Sequence, residues 1–481
     1  MTQATDKHDL RELEAFWNRH IQHRFSGKAL EAFVCVGDGM LSVRYVNLDN
    51  AATTKPFQAV KERVDEALDT YGSVHRGAGQ HSRCTTDAYE RARQHIGEFV
   101  GASPENYVIF TKNTTESVNQ AAALLASEPG KVLVSDIEHS SNLLPWMKQG
   151  EIVQYRTDRQ GIIDIGEIER ILKEHDGKTG QERIKLLAIT GSSNVTGYKP
   201  PIHNIAELVH RYGARIFVDA CQLVPHERVD MRSDDDAGHL DFLAFSGHKM
   251  YAPYGAGVLI GPKDFFDKVD PYQIGGGNLP YITRNLQIKR FHNVRTHDPG
   301  SPNAIGVIAI DEAIRQLEAI GMENVYQYET ALTAMAFDRL APLSPRDQLH
   351  PPVKLHIDRS HGTVIPFTIP GKPPELVAEM LTQEYGIGVR AGSFCTYELL
   401  RKLCETTDIA DDMIAEHVDA GITGSIPRIL RASFSIYNRP EDAIRFVDAV
   451  EEITKKRFVD YRSRYSRDGQ TGEWSVQPQL P

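Results

Sequence analysis

Short apolar runs recur along the chain, most followed by a stretch of helical periodicity, and this alternation constrains the architecture more than any other feature. Tyr107-Val108-Ile109-Phe110, Val132-Leu133-Val134, Leu186-Leu187-Ala188-Ile189, Ile216-Phe217-Val218 and Leu240-Asp241-Phe242-Leu243-Ala244-Phe245 read as buried strands. Between two of them Ile205, Leu208, Val209 and Tyr212 fall on one helical face, and Gly213 closes the helix. Strands alternating with helices imply a largely parallel sheet with helices on both faces. From about residue 311 the pattern turns to long helices with fewer strands, which predicts a second, smaller domain. Residues 8–25 are charged with scattered apolar positions and read as a helical extension, whereas the residues from Arg462 onward are polar and are expected to fray. The expected division is an extension over 1–45, a large domain over 46–310, a small α+β domain over 311–461 and a polar tail over 462–481.

In an open α/β sheet, ligands bind beyond the carboxyl ends of the strands. Five strand ends here carry polar groups. Thr111-Lys112-Asn113-Thr114-Thr115-Glu116 opens a helix whose free N–H groups, with the hydroxyls of Thr114 and Thr115, suit a phosphate. Glu138-His139 follows the next strand, where an imidazole can stack on a flat ring or move a proton. Ser193-Asn194-Val195-Thr196-Gly197 supplies an amide at a turn, and Val218-Asp219-Ala220 ends in an acid. Ser246-Gly247-His248-Lys249 places a lysine at the last of these ends. Each motif alone is an ordinary cap, turn or surface loop; five aimed at one crevice are not. An acid and a lysine on neighbouring strand ends are the pair that pyridoxal phosphate requires, the acid keeping the pyridine nitrogen protonated and the lysine holding the aldehyde as a Schiff base.

Composition narrows the remaining classes. A net charge of −11 over 481 residues argues against an electrostatic nucleic-acid binder. No apolar run approaches transmembrane length and Met1–Lys7 is polar, so a cytoplasmic location is the expectation. The five cysteines, Cys35, Cys84, Cys221, Cys395 and Cys404, match no zinc or disulfide framework, and no metal is expected.

Taken in order, Leu48-Asp49-Asn50-Ala51-Ala52-Thr53-Thr54, Val74-His75-Arg76-Gly77, Asn113-Thr114-Thr115-Glu116, Glu138-His139, Ser193-Asn194-Val195-Thr196-Gly197, Val218-Asp219-Ala220-Cys221-Gln222, Ser246-Gly247-His248-Lys249, Gly300-Ser301-Pro302-Asn303 and Arg431-Ala432-Ser433 resemble the aminotransferase class V enzymes of fold type I. The likeness runs from about Tyr45 to about residue 455 and is greatest to the group II cysteine desulfurases and selenocysteine lyases. It implies an α/β fold-type I architecture: a mostly parallel seven-stranded sheet in the large domain and a smaller α+β C-terminal domain. It also implies a role for each matching residue. Lys249 becomes the Schiff-base lysine and proton shuttle, Asp219 the partner of the pyridinium nitrogen, Gln222 a donor to the ring hydroxyl and His139 the stacking ring. Thr115, Ser246 and His248 become phosphate ligands, joined by the hydroxyl of Ser301 from a partner subunit, with Thr114 beside them in the cofactor site. Arg431 clamps the substrate carboxylate, Asn194 touches ring and substrate, and His75 and Arg76 lie at the subunit boundary beside the substrate. The implied assembly is a homodimer with composite active sites.

Gly388-Val389-Arg390-Ala391-Gly392-Ser393-Phe394-Cys395 selects the reaction within that class. A flanking glycine and a cysteine at this offset resemble the nucleophile segment of desulfurases, whose thiolate takes sulfur from L-cysteine, or selenium from selenocysteine, as a persulfide and releases alanine. A sulfur-acceptor protein is then an expected partner. Cys221, inside the cofactor strand motif, and Cys404, on a helix, read as packing residues. The alternatives are a C–S lyase, epimerase or aminotransferase that forms no persulfide, and an inactive sulfur-transfer scaffold. The segment between Cys395 and Arg431 is longer than usual for group II, and Phe394 stands where a polar neighbour is usual.

Overall fold

The computed structural model describes residues 10–25, 31–36, 39–345, 348, 351–406, 408–457 and 464–477. The polar start Met1–Lys7 and the last residues, 478–481, lie outside the described residues. Seven strands form the central sheet, in the order Asn106–Thr111, Gly257–Pro262, Phe242–Ser246, Arg215–Asp219, Ile184–Thr190, Lys131–Ser135 and Ile152–Tyr155. All neighbours are parallel except Gly257–Pro262, which runs against both of its own. Every residue of Ile184–Thr190 and Phe242–Ser246 is buried, as expected where helices cover both faces and a strand reads as a continuous apolar run. Helix Ile202–Arg211 buries Ile205, Leu208 and Val209, and Gly213 follows at φ +69°, a conformation that favours glycine.

A second sheet orders Lys354–Leu355, Val364–Thr368, Ile429–Ser433 and Arg390–Gly392, all antiparallel. The segment after Tyr45 is stitched to it. Val46–Asn47 pairs in parallel with Ile387–Gly388, and Asp49 bridges to Ser433. A ligand cleft at the carboxyl edge of the central sheet is thereby walled on its far side by residues 46–52 and by this smaller sheet.

The expected strands and the helix before Gly213 are all present, and helix Leu10–His20 lies in the predicted extension, with Leu13 and Trp17 buried. Frayed structure is not what residues 464–477 adopt. Tyr465–Arg467 and Trp474–Val476 form a hairpin, because Tyr465 is buried and its hydroxyl donates to Glu384 Oε1 at 2.9 Å. The acidic stretch after Cys395 is helix Asp408–Asp419, following helix Tyr397–Cys404. Among the described residues no helix is long and apolar enough to cross a membrane.

The strand end that carries Lys249 leaves no room at Gly247. A Cβ there would stand 2.7 Å from Ile310 Cγ1 and 3.0 Å from Ala252 O. Gly247→Ala is therefore expected to lower unfolding stability by about 1–3 kcal/mol through overpacking. Urea unfolding against wild type measures it; an unchanged midpoint contradicts the close approach.

Candidate active site

The carboxyl-edge cleft has a volume of about 260 Å³. Lys249, Asp219, Gln222, His139, Asn194, Thr114, Thr115, Ser246, His248, Cys395 and Arg431 all line it, so eleven residues singled out from sequence meet in one place. Lys249 closes the short turn Gly247–Lys249 that follows strand Phe242–Ser246, and Asp219 ends the neighbouring parallel strand. Asp219 is only 6% exposed, and one of its oxygens accepts from Cys221 N at 3.1 Å.

At one end of the cleft, helix Thr114–Leu125 presents its first turn. Asn113 caps it by accepting from Glu116 N at 3.0 Å. Thr115 Oγ1 lies 2.8 Å from Ser141 Oγ on the open side. Thr114 turns inward instead. Its N–H donates to Ser246 Oγ at 2.8 Å, and its hydroxyl lies 2.7 Å from Cys221 Sγ, so it braces the other hydroxyls from behind. Burial and the nearby lysine push His248 down to about 4, and burial, with the Lys249 charge, lowers His139. Both rings are therefore neutral at pH 7. The His139 Nδ1 accepts from Ser141 N at 3.1 Å, which fixes that ring's orientation. Gln222 donates one amide N–H to Ala51 O at 2.7 Å, which fixes the side chain at the cleft wall.

The donor set tests directly for a flat phosphate-bearing aromatic. A helix N-terminus ringed by hydroxyls suits the phosphate. A buried carboxylate at the other end suits a protonated ring nitrogen, a neutral imidazole lies between, and a primary amine is within the same cleft. These residues fit pyridoxal phosphate.

Two features were not legible from sequence. Arg431 is buried and reaches three segments: Nη2 donates to Asp49 Oδ1 at 3.0 Å, Nη1 to Asn194 O at 3.1 Å, and the guanidinium lies 4.6 Å from the Phe394 ring centroid. Its Nε is buried without a partner, a donor set out for a ligand. Burial lowers Arg431 to about 10, against the opposing pull of Asp49. Arg390 stands opposite Arg431 in strand register and approaches the other Asp49 oxygen at 3.6 Å. Asp49 and Arg390 lay inside quoted motifs, but only the register of two distant strands brings them together.

The second feature is the loop that carries Cys395. Phe394 and Cys395 both sit at φ +55°, which costs roughly 1–2 kcal/mol per residue for side chains of this kind. The Cys395 carbonyl accepts from Ser140 N at 2.8 Å and from Ser140 Oγ at 2.9 Å. Asn194 Nδ2 donates to Phe394 O at 2.9 Å, and Thr396 Oγ1 donates back to Asn194 Oδ1 at 3.0 Å. At about 0.5–1.5 kcal/mol each, the four bonds offset the strain. The Asn194 amide thus ties the loop to the cleft wall. Cys395 itself is exposed, whereas burial pushes the Cys221 thiol up to about 12 and the Cys404 thiol up to about 11.

Ser301, His75 and Arg76 are not in this cleft. Arg76 Nη1 lies 3.5 Å from Ser301 Oγ, and Ser301 borders a separate cavity that includes Lys112 and Asn303. His75 Nε2 bonds Glu90 Oε1 at 2.9 Å.

The aminotransferase class-V family model matches residues 46–446. A probable cysteine desulfurase of Halalkalibacterium halodurans is 32% identical over 86% of this chain and 94% of its own length. A cysteine desulfurase of Haloferax volcanii is 33% identical over 84% of this chain and 88% of its own. Among solved structures, an apo cysteine desulfurase from Thermococcus onnurineus superposes with a TM-score of 0.72 at 30% identity, covering 85% of this chain and 95% of that one. An Escherichia coli cysteine desulfurase gives 0.69 at 27% identity, covering 85% and 94%.

Removing the Asn194 amide leaves Phe394 and Cys395 in a costly conformation with half their tethers. Asn194→Ala is expected to speed hydrogen exchange at the amides of residues 393–396 by roughly ten- to a hundredfold, the kinetic equivalent of about 1–3 kcal/mol. Exchange mass spectrometry reads this, and unchanged rates would show that the loop needs no tether.

Proposed function

The chain belongs to the aminotransferase class-V family, and from that membership we propose that it is a pyridoxal-phosphate-dependent cysteine desulfurase. It takes sulfur from L-cysteine, or selenium from selenocysteine, and releases alanine. The observation that carries this reading is a single cleft holding Lys249, Asp219 and Arg431 together with an exposed cysteine, Cys395. A lyase, epimerase or aminotransferase of this class has no use for that cysteine, and an inactive scaffold has none for the lysine–acid pair.

Pyridoxal phosphate, when bound, supplies an electron sink for the substrate α-carbon. The chain does the rest. Thr115, Ser246 and the N-terminus of helix Thr114–Leu125 hold the phosphate, with the neutral His248 beside them. The Asp219 carboxylate keeps the ring nitrogen protonated, and the neutral His139 covers the ring. Lys249 Nζ retains the cofactor and, when freed, moves the α-proton. Arg431 uses its unpaired Nε for the substrate carboxylate. Cys395 Sγ, as thiolate, forms an S–S bond with the substrate sulfur as the Cβ–S bond breaks. The electron pair of that bond stays with Cβ, which takes a proton, so the products are a persulfide on Cys395 and alanine. The persulfide then passes to a thiol of an acceptor protein.

Ser301, His75 and Arg76 belong, in this reading, to the partner's cleft in a homodimer. Support comes from the hairpin Tyr281–Ile282 and Ile288–Lys289, which leaves the apolar side chains of Tyr281, Ile282, Leu286 and Ile288 exposed. The large domain spans 46–310 and the small one 311–461, and the reducing cytoplasm keeps Cys395 a thiol.

Borohydride reduction of the yellow holoprotein is expected to place a covalent pyridoxyl adduct on Lys249, located by peptide mass mapping and absent in Lys249→Ala. An adduct on any other lysine overturns the cofactor assignment.

Cys395→Ser leaves Lys249 and Arg431 intact and is expected to keep the cofactor spectrum and bind L-cysteine. Its alanine production should fall at least a hundredfold, since a serine hydroxyl is a poor nucleophile toward sulfur. Cys404→Ser should retain turnover. Undiminished alanine from Cys395→Ser would falsify the persulfide route, and pyruvate in its place would identify a lyase.

A further inference from the structure

The opposite edge of the central sheet carries a second cluster. Asp241 precedes strand Phe242–Ser246, and its Oδ2 accepts from Ile216 N at 2.9 Å, at the amino end of the neighbouring strand. His210, at the end of helix Ile202–Arg211, brings Nε2 to 2.9 Å from Asp241 Oδ2. His239, in the preceding loop, brings Nε2 to 3.8 Å from Oδ1. The two imidazoles stack with centroids 4.3 Å apart and planes 23° from parallel.

The far nitrogens settle which atoms are available. His210 Nδ1 lies 2.8 Å from Ala237 O, and His239 Nδ1 lies 2.7 Å from Asp236 O. A carbonyl only accepts, so both Nδ1 atoms carry hydrogen. Both rings therefore turn Nε2 toward the same carboxylate, and a divalent cation placed between them would be met by both nitrogens and a carboxylate oxygen at once.

From this arrangement we infer that His210, His239 and Asp241 form a structural site for a divalent transition metal of the zinc class. Backbone carbonyls that fix the tautomer of ligating histidines are what such sites use to orient their ligands. Tetrahedral ligands about 2.0–2.1 Å from zinc stand roughly 3.3 Å apart; His210 Nε2 is 2.9 Å from Asp241 Oδ2 and His239 Nε2 is 3.8 Å from the other oxygen, Oδ1, so modest side-chain movement closes the set. All three ligand atoms lie within 4.8 Å of one another, and the side chains keep 10–20% of their surface in solvent, which leaves a fourth position for water. Imidazole nitrogens with a carboxylate suit zinc, copper, nickel or cobalt rather than magnesium or calcium. The metal would clamp the end of helix Ile202–Arg211 to the amino edge of the sheet, away from the cleft that holds Lys249. In sequence only His239 and Asp241 are close; His210, on the helix, meets them only in the fold.

The test uses the holoenzyme, stripped with a chelator, incubated with zinc chloride at pH 7.5 and freed of excess metal by gel filtration. One retained zinc per chain is expected, with X-ray absorption showing a first shell of nitrogen and oxygen only. His210→Gln and His239→Gln should each weaken zinc affinity by at least tenfold. His203→Gln is the control, since that ring makes the same kind of carbonyl bond, Nδ1 to Gly238 O at 2.8 Å, without facing Asp241. It should bind as wild type. Zinc should also raise the melting temperature of wild type and of His203→Gln, but not of the two ligand variants. If wild type retains no zinc, the inference fails. A sulfur-containing shell places the metal on a cysteine and also overturns it, as does undiminished affinity in both ligand variants.

Discussion

A buried guanidinium holds the catalytic cleft together. Arg431 is in the small antiparallel sheet, yet it bonds Asp49 from the segment after Tyr45 and the Asn194 carbonyl from the central sheet, and it lies on the ring of Phe394. Removing a cation from water costs several kcal/mol, and one carboxylate with a carbonyl and an aromatic face repays it only in part. The deficit is visible as the unpartnered Nε and the lowered pKa. The same group that ties three segments together is thereby left short of one anion, which in the proposed function a substrate carboxylate supplies.

That tie also bears on how Cys395, the proposed nucleophile, is placed. The proposed transfer requires it to reach the cleft and an acceptor, and it is exposed where Cys221 is buried. The chain exposes it on two successive left-handed residues and fastens their carbonyls to Ser140 and Asn194, which sit on other strand ends. Asn194 serves both features: its carbonyl receives Arg431 and its side chain receives the loop. Phe394 buries its ring under Arg431, which accounts for an aromatic residue in a position where a polar one is usual.

Much of this was legible in the sequence. Buried parallel strands announce themselves as unbroken apolar runs, and the polar residue at the end of each has one edge of the sheet to occupy, so Lys249, Asp219, His139 and Thr115 could be assembled without coordinates. Short or mixed strands were not readable: Ile152–Tyr155 has only four residues, and Gly257–Pro262 mixes glycine with three apolar positions. The hairpin Tyr465–Arg467 and Trp474–Val476 hides in polar sequence because a few aromatic contacts with Glu384 and its helix hold it. Contacts decided by long-range register were not readable: Gln222 and Asn194 each bond a distant backbone carbonyl, the Thr114 hydroxyl meets Cys221, and Asp49 and Arg390 come together because Arg390 pairs opposite Arg431.

The central claim is that sulfur leaves the substrate onto Cys395. One turnover of the holoenzyme with L-cysteine, without reductant, followed by peptide mass mapping, tests it most directly. The account predicts one added sulfur on the peptide containing Cys395, in equal amount to the alanine released. An unmodified Cys395 alongside released alanine, or an added sulfur on Cys84 or Cys404 instead, would contradict it.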